Sequence, residues 1–205
     1  MTTSPIRLLL ADDQALVRGA LSALLGLEPD LEVVAEVGTG DAVVPAVMET
    51  QPDVALLDVE MPKLDGISAT AQVRMASPST RVLIVTTFGR PGYLRRALQA
   101  GASGFVVKDT PAPQLADAVR RVHQGLRVVD PKLATDSLLA GESPLTQRET
   151  EVLQAARDGS SVAAIAAKLF LSEGTVRNHL SAAIGKTGAA NRTEAVITAE
   201  GNGWL

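Results

Sequence analysis

The chain contains no cysteine among its 205 residues. This excludes disulfides, thiolate metal sites and cysteine nucleophiles, and leaves any nucleophile to be an oxygen or a nitrogen. No apolar run approaches the roughly 20 residues that a bilayer span requires. The opening stretch "MTTSPIRLLLADD" meets an acid pair before it could serve as a signal peptide. The expectation is a cytoplasmic protein with no membrane insertion. Excess positive charge is lacking too: the formal net charge is -4. Averaging can hide a patch, so the halves are better taken apart. Residues 1–125 hold 11 Lys and Arg against 14 Asp and Glu, and residues 144–205 hold 6 against 6. What remains is an ordinary globular balance, 46% hydrophobic and 20% charged, with room for one large or two modest domains.

From Ile6 one phrase recurs five times: a short apolar run, a turn, then apolar residues at helical spacing. The runs are "IRLLLA", "LEVVAEV", "DVALLD", "RVLIVT" and "SGFVVK". Near-continuous Val, Ile and Leu suit strands covered on both faces, and alternation with helices argues a parallel sheet. The first 125 residues are therefore expected to form a five-stranded, parallel, doubly wound α/β domain of the flavodoxin-like type. Pro45 falls within the second helical segment and predicts a kink or a shortened first turn. Residues 126–143 read as a linker, in which Pro131 can start a short helix and "AGESP" breaks it. From residue 144 to 205 the pattern is helical throughout and predicts an all-α, four-helix domain. Thr146 with Glu149 forms a capping-box pattern, and Ser172 is a plausible N-cap.

In a doubly wound sheet the carboxyl ends of the strands share one rim, where ligands bind. Strands one, three, four and five end on Asp12-Asp13, Asp58, Thr86 and Lys108. Each alone is unremarkable, since "ADD" can be a turn or a helix cap and a lone strand-end lysine a solvated charge. Together they would place three carboxylates, a hydroxyl and an ammonium at one rim. Acids so close raise at least one pKa unless a cation lies between them. Hard oxygen donors suit Mg²⁺. Asp58, ending the apolar run Val54-Ala55-Leu56-Leu57, would then be a carboxylate held ionised as a nucleophile able to form an aspartyl-phosphate. Lys108 and Thr86 would meet the phosphoryl oxygens.

The ordered set "LLLADD", "LLDVEMPKLDG", "LIVTTF" and "GFVVKD" resembles the receiver domain of two-component response regulators over residues 5–124. That resemblance implies Asp58 as phosphoacceptor for a partner sensor histidine kinase. It implies a Mg²⁺ site of Asp12, Asp13, Asp58 and the backbone carbonyl of Glu60, with Thr86 as switch hydroxyl and Phe105 as switch aromatic.

"LTQRETEVLQAARDGSSVAAIAAKLFLSEGTVRNHL" resembles the helix-turn-helix output domain of the NarL/FixJ (LuxR-type) regulators over residues 143–200. The second helix of such a motif enters the major groove of double-stranded DNA. By that resemblance Arg177, Asn178 and Ser181 face base edges, while Lys168, Ser172, Thr175, Lys186 and Arg192 hold phosphates. Gly185 predicts fraying late in that helix, and His123 and Trp204 read as packing residues. "TTFGRPGYLRRALQAG", "TVRNHLSAAIGKTG" and "GNGWL" look most like the Des-type regulators, which answer a membrane-thermosensing kinase and control a fatty-acid desaturase. A neutral DNA-binding domain suggests that two copies act together. The expectation is a homodimer formed on phosphorylation through the first and last receiver helices, with Leu16, Leu24, Val119 and Val122 on the surface. Two other readings are an aspartyl-phosphate phosphohydrolase and a DNA-binding regulator indifferent to phosphorylation. The first is disfavoured because such hydrolases carry a D-x-D nucleophile on strand one, and the second by the complete acid, hydroxyl and ammonium set.

Overall fold

The computed structural model describes residues 4–87, 91–139 and 143–205; the break read at 140–144 lies partly outside them, as do the first three residues of the opening stretch. The chain forms two compact units, one built mainly on residues before Thr135 and one on Thr135–Leu205.

In the first unit, strands β1 (Ile6–Ala11), β2 (Leu31–Val37), β3 (Val54–Leu57), β4 (Arg81–Thr86), β5 (Gly104–Val107) and β6 (Val128–Val129) form one parallel sheet in the order β2-β1-β3-β4-β5-β6. The sheet has six strands, not the expected five. The sixth comes from the segment read as linker, where Gly104 pairs with Val128 and Phe105 with Val129. Two residues are too few to carry a periodicity, so this strand exists through pairing with β5 alone.

The two-residue period of the strands splits their apolar runs between two cores. Leu9, Ala55, Leu57, Val82, Ile84 and Phe105 face α2 (Val43–Thr50), α3 (Gly66–Ala76) and α4 (Pro91–Gln99). Leu8, Leu10, Leu56, Leu83, Val85 and Val106 face α1 (Ala15–Leu25) and α5 (Ala112–His123). Helices on both faces make the sheet doubly wound. Pro45 is accommodated because a 3₁₀ turn, Gly40–Ala42, precedes α2 and puts the proline in its first turn, where the N–H has no helical partner to lose. The expectation for α5 needs correcting: Val119 and Val122 are fully buried. This helix packs on the sheet and alongside α1, so its buried face is wider than a single stripe.

α6 (Pro131–Leu139) follows the sheet, and the second unit contains α7 (Gln147–Ala155), α8 (Val162–Leu169), α9 (Glu173–Thr187) and α10 (Arg192–Asn202) around Val152, Leu153, Ile165, Val176, Ala183, Ala195 and Ala199. Four side-chain caps start helices here: Thr146 for α7, Ser161 for α8, Ser172 for α9 and Asn191 for α10. Contrary to the expected fraying, α9 runs unbroken through Gly185 to Thr187 and ends on Gly188 in the left-handed region. Trp204 packs against this core, as expected.

One buried acid ties the unit together. Glu149 closes the capping box with Thr146, and its carboxylate accepts from Lys186 Nζ at 2.7 and 2.9 Å, joining α7 to α9. Burial raises the Glu149 pKa, but the Lys186 ammonium and the Thr146 donors outweigh it and hold the carboxyl below its ordinary value of 4.5. A carboxyl depressed on folding contributes stability above its unfolded pKa and loses it as pH falls through the folded value. The second unit of the wild type is therefore expected to weaken below about pH 4.5, and a Glu149→Gln variant to show a flatter pH dependence there. At pH 7, Glu149→Ala should cost about 2–3 kcal/mol in urea denaturation, since it leaves the Lys186 ammonium and the Thr146 N–H without their acceptor.

Candidate functional site

The parallel topology brings the carboxyl ends of β1, β3, β4 and β5 to one rim, and each polar residue sits where its apolar run stops. Asp12 follows β1, Asp58 follows β3, Thr86 closes β4 and Lys108 follows β5. Backbone bonds continue the ladder into the rim: Asp58 N–H donates to Ala11 O at 2.8 Å, and Lys108 N–H to Thr86 O at 2.8 Å. Gly66 opens α3 against the same place. A Cβ there would come within 1.8 Å of Asp58 O, so only glycine allows this close approach. Asp65 caps α3 through the Ile67 and Ser68 N–H groups.

Asp12, Asp58 and Thr86 are buried and Asp13 is exposed. One carboxylate oxygen from each of Asp12, Asp13 and Asp58 lies within 4.8 Å of the others. Lys108 Nζ sits between Asp12 Oδ2 at 2.7 Å and Asp58 Oδ2 at 2.8 Å. The remaining oxygens have backbone donors, Gln14 N–H to Asp12 Oδ1 at 2.9 Å and Val59 N–H to Asp58 Oδ1 at 2.7 Å. Arg18 of α1 donates to Asp12 O at 2.5 Å and lies 3.6 Å from Glu36 of β2, a brace that sequence spacing did not reveal.

Three carboxylates and one ammonium leave the cluster with two net negative charges. Its donors are hard oxygens with one exposed member, a set that fits a partly hydrated Mg²⁺. Burial pushes the Asp58 carboxyl above its usual range; Lys108 pulls it back and the Asp12 charge adds to the rise. For Lys108, burial opposes the charge, and the hydrogen bonds it donates to Asp12 and Asp58 more than compensate, raising its pKa. Phe105 is fully buried in the core beside α4, and Glu60 is exposed, with Tyr93 Oη donating to its side chain at 3.4 Å.

In the second unit the exposed positions of α9 are Glu173, Gly174, Arg177, Asn178, Ser181, Ala182, Gly185 and Lys186. The residues expected to read bases, Arg177, Asn178 and Ser181, thus share an outward face with small side chains. The residues expected at phosphates are placed less uniformly. Lys168 is exposed, and Ser172 accepts from Thr175 N–H at 3.1 Å. Lys186 is engaged by Glu149, and Arg192 donates to Gly159 O and Ser160 O at 3.1 and 2.8 Å.

An α/β unit with an acid, hydroxyl and ammonium rim, followed by a helical unit with an exposed face on α9, defines a regulator that couples a receiver to a helix-turn-helix. The chain belongs to the response regulators: the response regulator receiver domain matches residues 8–120, and the luxR family of bacterial regulatory proteins matches residues 143–199. It is 42% identical over 200 residues to the transcriptional regulatory protein YvfU of Bacillus subtilis (strain 168), covering 98% of this chain and 100% of that protein. It is 41% identical to the transcriptional regulatory protein DesR of the same organism, covering 98% and 99%. The crystal structure of the response regulator ChrA, from a heme-sensing two-component system, matches with a TM-score of 0.61 at 36% identity, over 97% of this chain and 98% of that one. This is a transcription regulator with a receiver and a LuxR-type DNA-binding domain, and no helix among the described residues is long and apolar enough to cross a membrane.

If burial and Asp12 make the Asp58 charge costly, then Asp58→Asn should raise stability at pH 7 in chelator by about 1 kcal/mol, the exchange of stability for function common at active sites. Equilibrium denaturation reads this directly, and a less stable variant would contradict the assignment.

Proposed function

We propose that this regulator is switched by phosphorylation of Asp58. The observation that carries the reading is the Lys108 ammonium held jointly by Asp12 and Asp58, which makes the rim a cation-dependent anion site. The donor is a phosphohistidine of a sensor histidine kinase. An Asp58 carboxylate oxygen attacks the phosphorus, the P–O bond forms, and the P–N bond breaks with its electron pair returning to the imidazole nitrogen. Asp12, Asp13, Asp58 and the Glu60 carbonyl would hold Mg²⁺. What the metal supplies when bound is screening of the charge that gathers on the phosphoryl oxygens. Lys108 turns its ammonium to those oxygens, and the Thr86 hydroxyl donates to one of them. Movement of Thr86 frees space that Phe105 takes up, shifting the population of receiver surfaces.

The output is sequence-specific binding to promoter DNA. α9 enters the major groove with Arg177, Asn178 and Ser181 toward the bases, and Lys168, Ser172 and Thr175 lie toward phosphates. Lys186 and Arg192 reach phosphates only by loosening the bonds they make within the domain. The domain is formally neutral, so one copy binds weakly and a phosphorylation-induced homodimer on paired half-sites binds by effective concentration. The outer face of α1 and the turn that follows it support this pairing. Leu16 is 86% exposed and Leu27 79%, with Ala20, Ala23 and Leu24 exposed between them, and the helix's one charged residue, Arg18, bonds inward to Asp12 O.

Incubation with a small acyl-phosphate donor and Mg²⁺ should add one phosphoryl group by intact-mass spectrometry. An Asp58→Ala variant should add none while keeping its circular dichroism; label on that variant contradicts the assignment. Under the same conditions sedimentation velocity should show a dimer, and Ala20→Arg should leave a phosphorylated monomer. A dimer that survives Ala20→Arg would place the interface elsewhere.

A further inference from the structure

The six cations of residues 144–205 are unusually committed. Arg148 pairs with Glu151 at 2.6 Å, Arg157 with Glu200 at 2.5 Å, Arg177 with Glu173 at 2.5 Å and Lys186 with Glu149 at 2.7 Å. Arg192 is bonded to carbonyls, and among the described residues only Lys168 of the six makes neither a hydrogen bond nor an ion pair. Three of these pairings have a structural purpose, joining helices or steadying a helix surface. The pair on α9 is different, because it lies on the face that reads DNA.

Glu173 is the first residue of α9, one turn before Arg177, and both are well exposed, 49% and 62% by side chain. The other exposed positions of α9 are Gly174, Asn178, Ser181, Ala182 and Gly185, small or neutral groups over which a duplex can approach closely, and Lys186, whose ammonium is engaged by Glu149. An acid here meets the phosphate field of DNA, which repels it unless a donor in the groove accepts its charge. The major groove offers two such donors, the exocyclic amines of cytosine and adenine. Asn178 matches the donor and acceptor edge of adenine, whereas a carboxylate, having only acceptors, matches cytosine. Arg177, gripped through Nη2, keeps its other N–H groups for guanine.

We infer that Glu173 is a specificity-determining residue, accepting the amine of a cytosine while holding Arg177 over a neighbouring guanine, so that the pair reads as one unit. This rests on the proposed placement of α9 in the major groove. It explains why an acid occupies a DNA-reading face: it rejects wrong bases instead of adding affinity. Thymine and guanine at its position would set an acceptor against the carboxylate.

The test is selection of binding sites from a random duplex library by the full-length, phosphorylated protein, in wild type, Glu173→Ala and Glu173→Gln forms, at one salt concentration. The wild type should select a cytosine beside a guanine. Glu173→Ala should lose the cytosine preference, by about 5- to 100-fold against the worst base, while the contacts of Asn178 persist elsewhere in the site. Glu173→Gln should exchange that cytosine for adenine, whose edge an amide pairs with bidentately. Loss of a merely structural helix contact would lower affinity for all sequences alike and leave the base profile unmoved. Identical profiles in the three proteins overturn the inference and leave the DNA reading intact; no selected sequence by any of them overturns both.

Discussion

One lysine holds the receiver rim together. Asp12 and Asp58 end adjacent strands and point into a buried space where two like charges repel strongly. The Lys108 ammonium, delivered by the end of β5, sits within hydrogen-bond reach of both. Much of the first unit can be understood as what places those three atoms. The β1-β3 and β4-β5 pairings set the rim, glycine at the start of α3 lets the backbone close over Asp58, and Arg18 ties the Asp12 backbone to α1. The result is deliberately incomplete neutralisation, with two negative charges left over and one carboxylate, Asp13, facing solvent.

That incompleteness links stability to the proposed signalling. A cluster whose charges were fully matched would bind nothing. One left short of positive charge favours a dication, the condition on which the proposed phosphorylation of Asp58 rests. The helical region of residues 144–205 follows the opposite rule. There six acids offset six cations, and four of those cations are closed in ion pairs. A DNA-binding domain built this way gives up non-specific electrostatic affinity. Under the proposed function, its binding would rest on base contacts and on pairing of two copies, which would make it responsive to a switch in the receiver.

The rim was legible in the sequence because apolar runs that end on polar residues mark strand ends, and parallel topology brings strand ends together. Asp12, Asp13, Asp58, Thr86 and Lys108 were found by that rule alone. The sixth strand was not legible, since Val128 and Val129 form a strand only because β5 offers them an edge. Val119 and Val122 looked like surplus apolar residues because a helix wedged between a sheet and a neighbouring helix buries more than the usual stripe. Gly185 looked like a weak point, but the burial of Val176, Leu180 and Ala183 and the Gly188 C-cap hold the helix against the roughly 1 kcal/mol that a helical glycine costs. Lys186 was assigned to phosphate by resemblance; its bond to Glu149 spans 37 positions, beyond any local pattern.

The charge account of the rim is open to one direct measurement, isothermal calorimetry of Mg²⁺ into the unphosphorylated protein beside an Asp13→Asn variant. A single saturable site in the wild type, markedly weakened in the variant, is the expected result. No heat of binding in the wild type, or equal affinity in both, would mean that the three carboxylates do not act together and that Asp58 must be explained another way.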